Sequence, residues 1–184
     1  MMTKKGLLFI VLSLTLSVLI ISCDGDAPNE EKTTDKQTEE PQSVADTKDM
    51  GKKPWVLNIE EATVDNEHYR LANWTGENIQ LVLMSLKPGE EIEKEMHEGH
   101  DQFIRVEQGN ARIRMGKKED ELDFDKTVSH DWAMLIPAKY WHHIENTGDK
   151  DLKIYTIYGP AEHDKGTLHK TYKEAKSQHH GHEE

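Results

Sequence analysis

The chain of 184 residues has room for one domain with extended ends and not for two ordinary domains. Charged residues make up 32% of it and hydrophobic residues 35%, and Lys+Arg 23 against Asp+Glu 35 give a net charge of −12. An acidic chain with no basic stripe is excluded as a nucleic-acid binder, because neutralising phosphates takes clustered Lys and Arg. A single cysteine excludes an internal disulfide, cysteine-rich zinc sites and iron–sulfur clusters, so any metal falls to the 11 histidines and the carboxylates.

Lys4 and Lys5 form a short basic start, followed by an apolar run from Leu7 to Ile21. That run is shorter than the roughly 20 residues a membrane-spanning helix needs, and it reads as the core of a secretory signal peptide over residues 1–22. Ile20-Ile21-Ser22-Cys23 resembles the bacterial lipobox, in which the cysteine is lipidated and becomes the mature N-terminus. Losing residues 1–22 removes two lysines and no acid, which takes the charge from −12 to −14. Attachment to an anionic membrane then depends on the acyl chains, each buried CH₂ contributing about 0.8 kcal/mol. The expected location is the bacterial cell envelope. Residues 24–53 lack aromatics and are rich in Glu, Asp, Lys, Thr and Gln, the composition of a disordered tether.

The texture changes at Pro54-Trp55. All four Trp, all five Tyr and two of the three Phe follow it. Strands are predicted over Ile79–Leu86, Gln102–Val106, Ala111–Met115, Ala133–Ile136 and Leu152–Tyr158, each stopped by Gly or Pro or by a polar turn. Nothing before Lys165 sustains a 3.6-residue period. The expected fold is an all-β sandwich or barrel over residues 54–160, with a C-terminal extension, 161–184, that includes a short helix over Lys170–Gln178.

Histidines gather in two places. Glu95 and His97 are two apart, so on a strand they share a face, with His100 and Gln102 just beyond. In Trp141-His142-His143-Ile144-Glu145-Asn146, His142, Ile144 and Asn146 share one face and His143 and Glu145 the other. Parity also puts Ile104 and Val106 with Gln102, and Arg105 opposite them, held by Asp101 or Glu107 or lying in a dimer interface. Leu152, Ile154, Thr156 and Tyr158 fall on the inner face of the last strand.

These segments resemble the cupins. Gly89, five residues, Glu95-Met96-His97, four residues, Gln102, six residues and Gly109 match the spacing of the first cupin motif, G-x5-H-x-H-x(3,4)-E-x6-G. Pro137, Lys139, His142 and Asn146 fall in register with the second, G-x5-P-x-G-x2-H-x3-N, after 21 intervening residues. The resemblance covers about Val56 to Tyr158. Asp101–Gly109, Lys153–Pro160 and the following His169-Lys170-Thr171 resemble the small single-domain, mannose-6-phosphate-isomerase-like subgroup. It implies a double-stranded β-helix (jelly-roll barrel) and one divalent transition metal (Fe, Mn, Ni or Zn) inside it.

Carried over by position, the metal ligands are Glu95, His97, Gln102 and His142, with His100 as a substitute for Gln102. Glu95 stands where the family has His and Gln102 where it has Glu, while Asp131 and Lys139 replace glycines. Two imidazoles and one carboxylate are still the composition of a facial triad. Tyr158 and Lys139 are the candidates for catalytic contact with a small-molecule ligand. His163 and His169 are expected at the barrel mouth in a structural role, and His179, His180 and His182 in a solvated tail. The resemblance implies isomerase-like or oxygenase-like chemistry on a sugar or small organic acid, or a non-catalytic binding module, as well as a homodimer. A signal for export argues against phosphorylated sugars, which are scarce outside the cytoplasm.

Overall fold

The computed structural model describes residues 48–179. The signal peptide, Cys23, the tether through residue 47, His180 and His182 lie outside the described residues, as does the side chain of His179.

Among the described residues the chain forms ten strands and two helices. They run α1 (Ile59–Asp65), β1 (Arg70–Thr75), β2 (Gln80–Leu86), β3 (Glu91–Glu95), β4 (Asp101–Gln108), β5 (Asn110–Gly116), β6 (Phe124–Ser129), β7 (Ala133–Ile136), β8 (Trp141–Asn146), β9 (Leu152–Gly159), β10 (Leu168–His169) and α2 (Tyr172–His179). All pairings are antiparallel. One sheet has the order β10-β1-β2-β9-β4-β7 and the other β3-β8-β5-β6. The inner faces enclose a core of Val82, Met84, Leu86, Ile104, Val106, Ile113, Ile144, Leu152 and Ile154, all buried. This is an all-β jelly roll, and the expected parity of β4, β8 and β9 is what fills it.

Two features depart from the expected outline. A helix precedes the first strand. Asn58 caps α1 by accepting from the Glu61 amide at 3.4 Å and donating to its carboxylate at 3.2 Å, and Glu60 and Glu61 sit in the first turn. α1 packs on the outer face of β2, β4 and β9. That cover explains why β2 is apolar on both faces: Leu83 and its partner Leu71 are buried on the opposite side from Val82 and Met84.

The folded region also starts before Pro54. Asp49 is buried; its carboxylate accepts from the Thr75 hydroxyl at 2.5 Å, the Thr75 amide at 3.1 Å and the Gly166 amide at 3.2 Å. Residues 48–53 therefore belong to the fold rather than to a tether. The segment after β9 is likewise part of the body, since β10 pairs with β1 and Tyr172 of α2 donates to Glu91 at 3.1 Å.

Candidate metal centre

β3 and β8 deliver the first two side chains. Ile92 pairs with Ile144 and points into the core, so simple alternation would turn Lys94 inward and Glu95 out. Between Ile92 and Glu95 the register shifts, and Glu95 rather than Lys94 faces His142. This bulge supplies the extra residue that reverses the parity. Lys94 is left outside, 3.2 Å from Glu119.

His142 is fully buried. Its Nδ1 lies 3.1 Å from the Tyr140 carbonyl, which turns Nε2 towards Glu95 Oε1 at 3.3 Å. A backbone acceptor on one ring nitrogen fixes which nitrogen faces a metal. His97 follows β3, and its position is set by its carbonyl, which accepts from the Lys139 amide at 2.8 Å. His97 Nε2 is 3.5 Å from the same Glu95 oxygen. Lys139 adopts a φ of 65° and Asp131 a φ of 70°. The backbone thus keeps the left-handed conformation that a glycine would supply, although both residues carry side chains.

Gln102, on β4, is buried beside His97. Its Nε2 donates to Thr156 Oγ1 at 3.1 Å, whereas its Oε1 has no hydrogen-bond partner. His97 Nε2 is buried and equally without one. Ligand atoms of Glu95, His97 and His142 lie within 4.8 Å of one another. The two spacings from Glu95 Oε1, 3.3 and 3.5 Å, compare with about 3.3 Å for the edge of a tetrahedron whose centre is about 2.0–2.1 Å from its N and O corners. The donor set and the orphaned oxygen beside it fit a divalent transition metal.

Without an ion, the cluster balances charge internally. Burial pushes the Glu95 carboxyl up, but the His142 and His97 imidazoles beside it outweigh it and hold the group well below the carboxylate range. Burial opposes charge on His97 too, yet Glu95, Glu162 and the Gln102 amide raise its pKa. A cation is favoured in this place.

The other expected residues divide. Tyr158 is buried with its ring edge-on to His97 at 5.7 Å and His100 at 5.8 Å, and burial together with the Glu95 charge pushes its hydroxyl pKa up, so it is a neutral phenol. The Lys139 side chain lies in solvent, its Nζ 4.0 Å from Glu98, and its contribution to the site is the backbone bond to His97. His100 stacks on His97 at 4.5 Å and turns its Nε2 to Glu162 rather than to the Glu95 set. His143 is on the opposite face, where it bridges Arg114 at 2.9 Å and Glu91 at 2.5 Å. Arg105 is held on the outside by Glu107, 3.2 Å away, and by Asp131. His163 packs edge-on against Tyr158 at 5.3 Å. Asn146 is a strut: its amide donates to the Leu86 and Lys150 carbonyls, both at 2.9 Å, and accepts from Gly148.

Glu162 is the residue that sequence reasoning missed. It reaches the mouth from the segment after β9, and no spacing motif announces a carboxylate 67 positions after Glu95.

Comparison with known proteins agrees with this fold. Residues 82–158 match the family model described as a cupin domain. The uncharacterized protein YrkC of Bacillus subtilis is 48% identical over 128 residues, which cover 70% of this chain and 69% of that protein. An uncharacterized protein of Acanthamoeba polyphaga mimivirus is 43% identical over 115 residues, or 62% of this chain and 70% of its own length. The crystal structure of BH2720 from Bacillus halodurans superposes with a TM-score of 0.70 at 45% identity, covering 71% of this chain and 98% of that one.

Proposed function

We propose, for a chain that belongs to the cupin family, that it holds one divalent transition metal inside the barrel and presents it to a small neutral or acidic molecule of the cell envelope. Glu95, His97 and His142 are the ligands, and the Gln102 oxygen completes or lines the site. The observation that carries this reading is the convergence of three donors within 4.8 Å, beside two buried atoms, His97 Nε2 and Gln102 Oε1, that have no hydrogen-bond partner. Bound there, the ion supplies Lewis-acid polarisation of a carbonyl or hydroxyl oxygen. Tyr158, a neutral phenol on the inner wall, would donate a hydrogen bond to a molecule beside the ligands, while the exposed Lys139 would meet only one entering from solvent. The buried core below and the stacked His97–His100 pair above limit water at the site.

A non-catalytic metal- or ligand-binding module is the second reading. It is favoured by the position of Glu162 and His163 over the same mouth, which leaves the inner donors crowded. In both readings the lipobox cysteine, Cys23, anchors the domain to the membrane. Two experiments test the proposal. Elemental analysis of the protein, purified without added metal and with the tail histidines His179, His180 and His182 replaced by Ala, should find about one equivalent of Fe, Mn, Ni or Zn. Metabolic labelling with palmitate should mark the wild type and not Cys23→Ala. A metal-free protein with no uptake on titration refutes the metal reading, and unlabelled wild type refutes the anchor.

A further inference from the structure

We propose that the barrel mouth carries a second divalent-cation position, built from His97 Nδ1, His100 Nε2 and the Glu162 carboxylate, which competes with the inner set for the His97 ring. The competition rests on the inner set being the metal site argued above. The outer position itself stands on its own residues.

The three ligand atoms lie within 4.8 Å of one another. Glu162 Oε2 is 3.2 Å from His100 Nε2 and 3.6 Å from His97 Nδ1. Both imidazoles are sequestered, their side chains 7% and 9% exposed for His97 and His100. His100 Nε2 is buried and makes no hydrogen bond, although the carboxylate stands close by. The two rings stack at 4.5 Å and 23°, so their edges reach one carboxylate side by side. Two imidazoles and a carboxylate suit borderline ions such as Zn²⁺, Ni²⁺ and Co²⁺.

Glu162 is not on a loose loop. The next residue is tied to the barrel wall by buried Gln80, which donates to the His163 carbonyl at 2.8 Å and accepts from its amide at 3.0 Å. Asp49 holds the same segment further on, at Gly166.

A neutral imidazole has one lone pair. His97 offers it through Nε2 to Glu95 and His142, or through Nδ1 to His100 and Glu162. The two positions are therefore filled in turn and not together. An ion arriving from solvent meets the outer one first, and it passes to the inner one when the His97 proton changes nitrogen.

The test is a Co²⁺ titration, followed by its visible absorption, of the full chain with His179, His180 and His182 replaced by Ala. The parent should saturate at one equivalent. His142→Ala, and Glu95→Gln as a variant that opens no cavity, should still bind one Co²⁺ with a different spectrum and an affinity lower by about tenfold or more. Adding Glu162→Gln to either should remove that residual binding, and His97→Ala should abolish binding at both positions. Saturation at two equivalents overturns the competition. A parent that binds one ion, with His142→Ala and Glu95→Gln folded but binding none, overturns the outer position and leaves the inner site intact. Binding that responds to Glu162→Gln but not to Glu95→Gln or His142→Ala sinks the inner site and keeps the outer one.

Discussion

Glu95 and His142 face each other across the β3–β8 pair, Oε1 to Nε2 at 3.3 Å, only because the strand slips by one residue after Ile92. The slip exchanges Lys94 for Glu95 at the inner position. A lysine there would set an ammonium against two imidazoles, and the cluster would repel a cation. Deleting Glu93 removes the extra residue and leaves Glu95 two positions after Ile92, so regular alternation alone should keep it opposite His142. Circular dichroism should still show the β fold and metal uptake should be retained; loss of uptake with the fold intact would contradict the bulge as the extra residue that sets the parity of Glu95.

His143 sits next to His142 in sequence and serves a different purpose. It joins Arg114 of β5 to Glu91 of β3 on the outer face. His143→Ala should leave metal content unchanged and lower stability by about 0.5–1.5 kcal/mol, the usual net worth of a hydrogen bond between partly exposed groups. Urea unfolding with a parallel metal assay separates the two effects.

The same network has a pH signature. The His143 hydrogen bond outweighs partial burial and holds the Glu91 carboxyl below its usual range. The stabilisation is fully present above the unfolded carboxylate pKa and is lost as pH falls through the lower folded value. Glu91→Gln should flatten the acid limb of the stability profile below about pH 4.5, the ordinary value of the group. An acid limb unchanged from the wild type would contradict the assignment.

His163 adds a slope at higher pH. Burial, reinforced by the Arg70 charge, pushes its pKa down to about 3 from the ordinary 6.5. The unfolded chain binds a proton that the fold excludes, so apo-protein stability should fall as pH drops from about 6.5 towards 3. His163→Phe preserves the edge-on contact with Tyr158 and should remove this part of the slope. An identical pH dependence in the variant would refute it.

Lys139 holds a φ of 65° with an exposed side chain. A left-handed residue with a Cβ is disfavoured by about 1–2 kcal/mol. Lys139→Gly should relieve part of that and raise Tm by about 2–4 °C per kcal/mol recovered. Since the backbone bond to His97 is unchanged, metal content should be unaffected. A loss of metal would show that the lysine side chain contributes to the site.

Much of the barrel was legible in the sequence. Ala133–Ile136 coincides with β7, and the inner faces of β4, β8 and β9 follow from alternation because one side of each is buried. The positions of Glu95, His97, Gln102 and His142 follow from motif spacing alone. What escaped are features that alternation and spacing do not encode. α1 is seven residues long, too short for a sustained period, although Asn58-Ile59-Glu60-Glu61 carries a capping signal. The bulge in β3 reverses parity without changing spacing. Asp49 and Glu162 enter by tertiary contact, the first from a stretch whose composition is that of a tether. The expected grouping of His100 with the inner ligands is replaced by its pairing with Glu162, because the turn after His97 stacks the two rings instead of bringing His100 over Glu95.

The most direct test of the central claim is the metal content of four proteins after desalting: the chain with its tail histidines replaced, and the same chain with His97→Ala, His142→Ala or His143→Ala. The account predicts near one equivalent in the first and in His143→Ala, none in His97→Ala, and a reduced amount in His142→Ala, where only the weaker outer position is left. Equal metal in all four, or equal loss in all three variants, would contradict it.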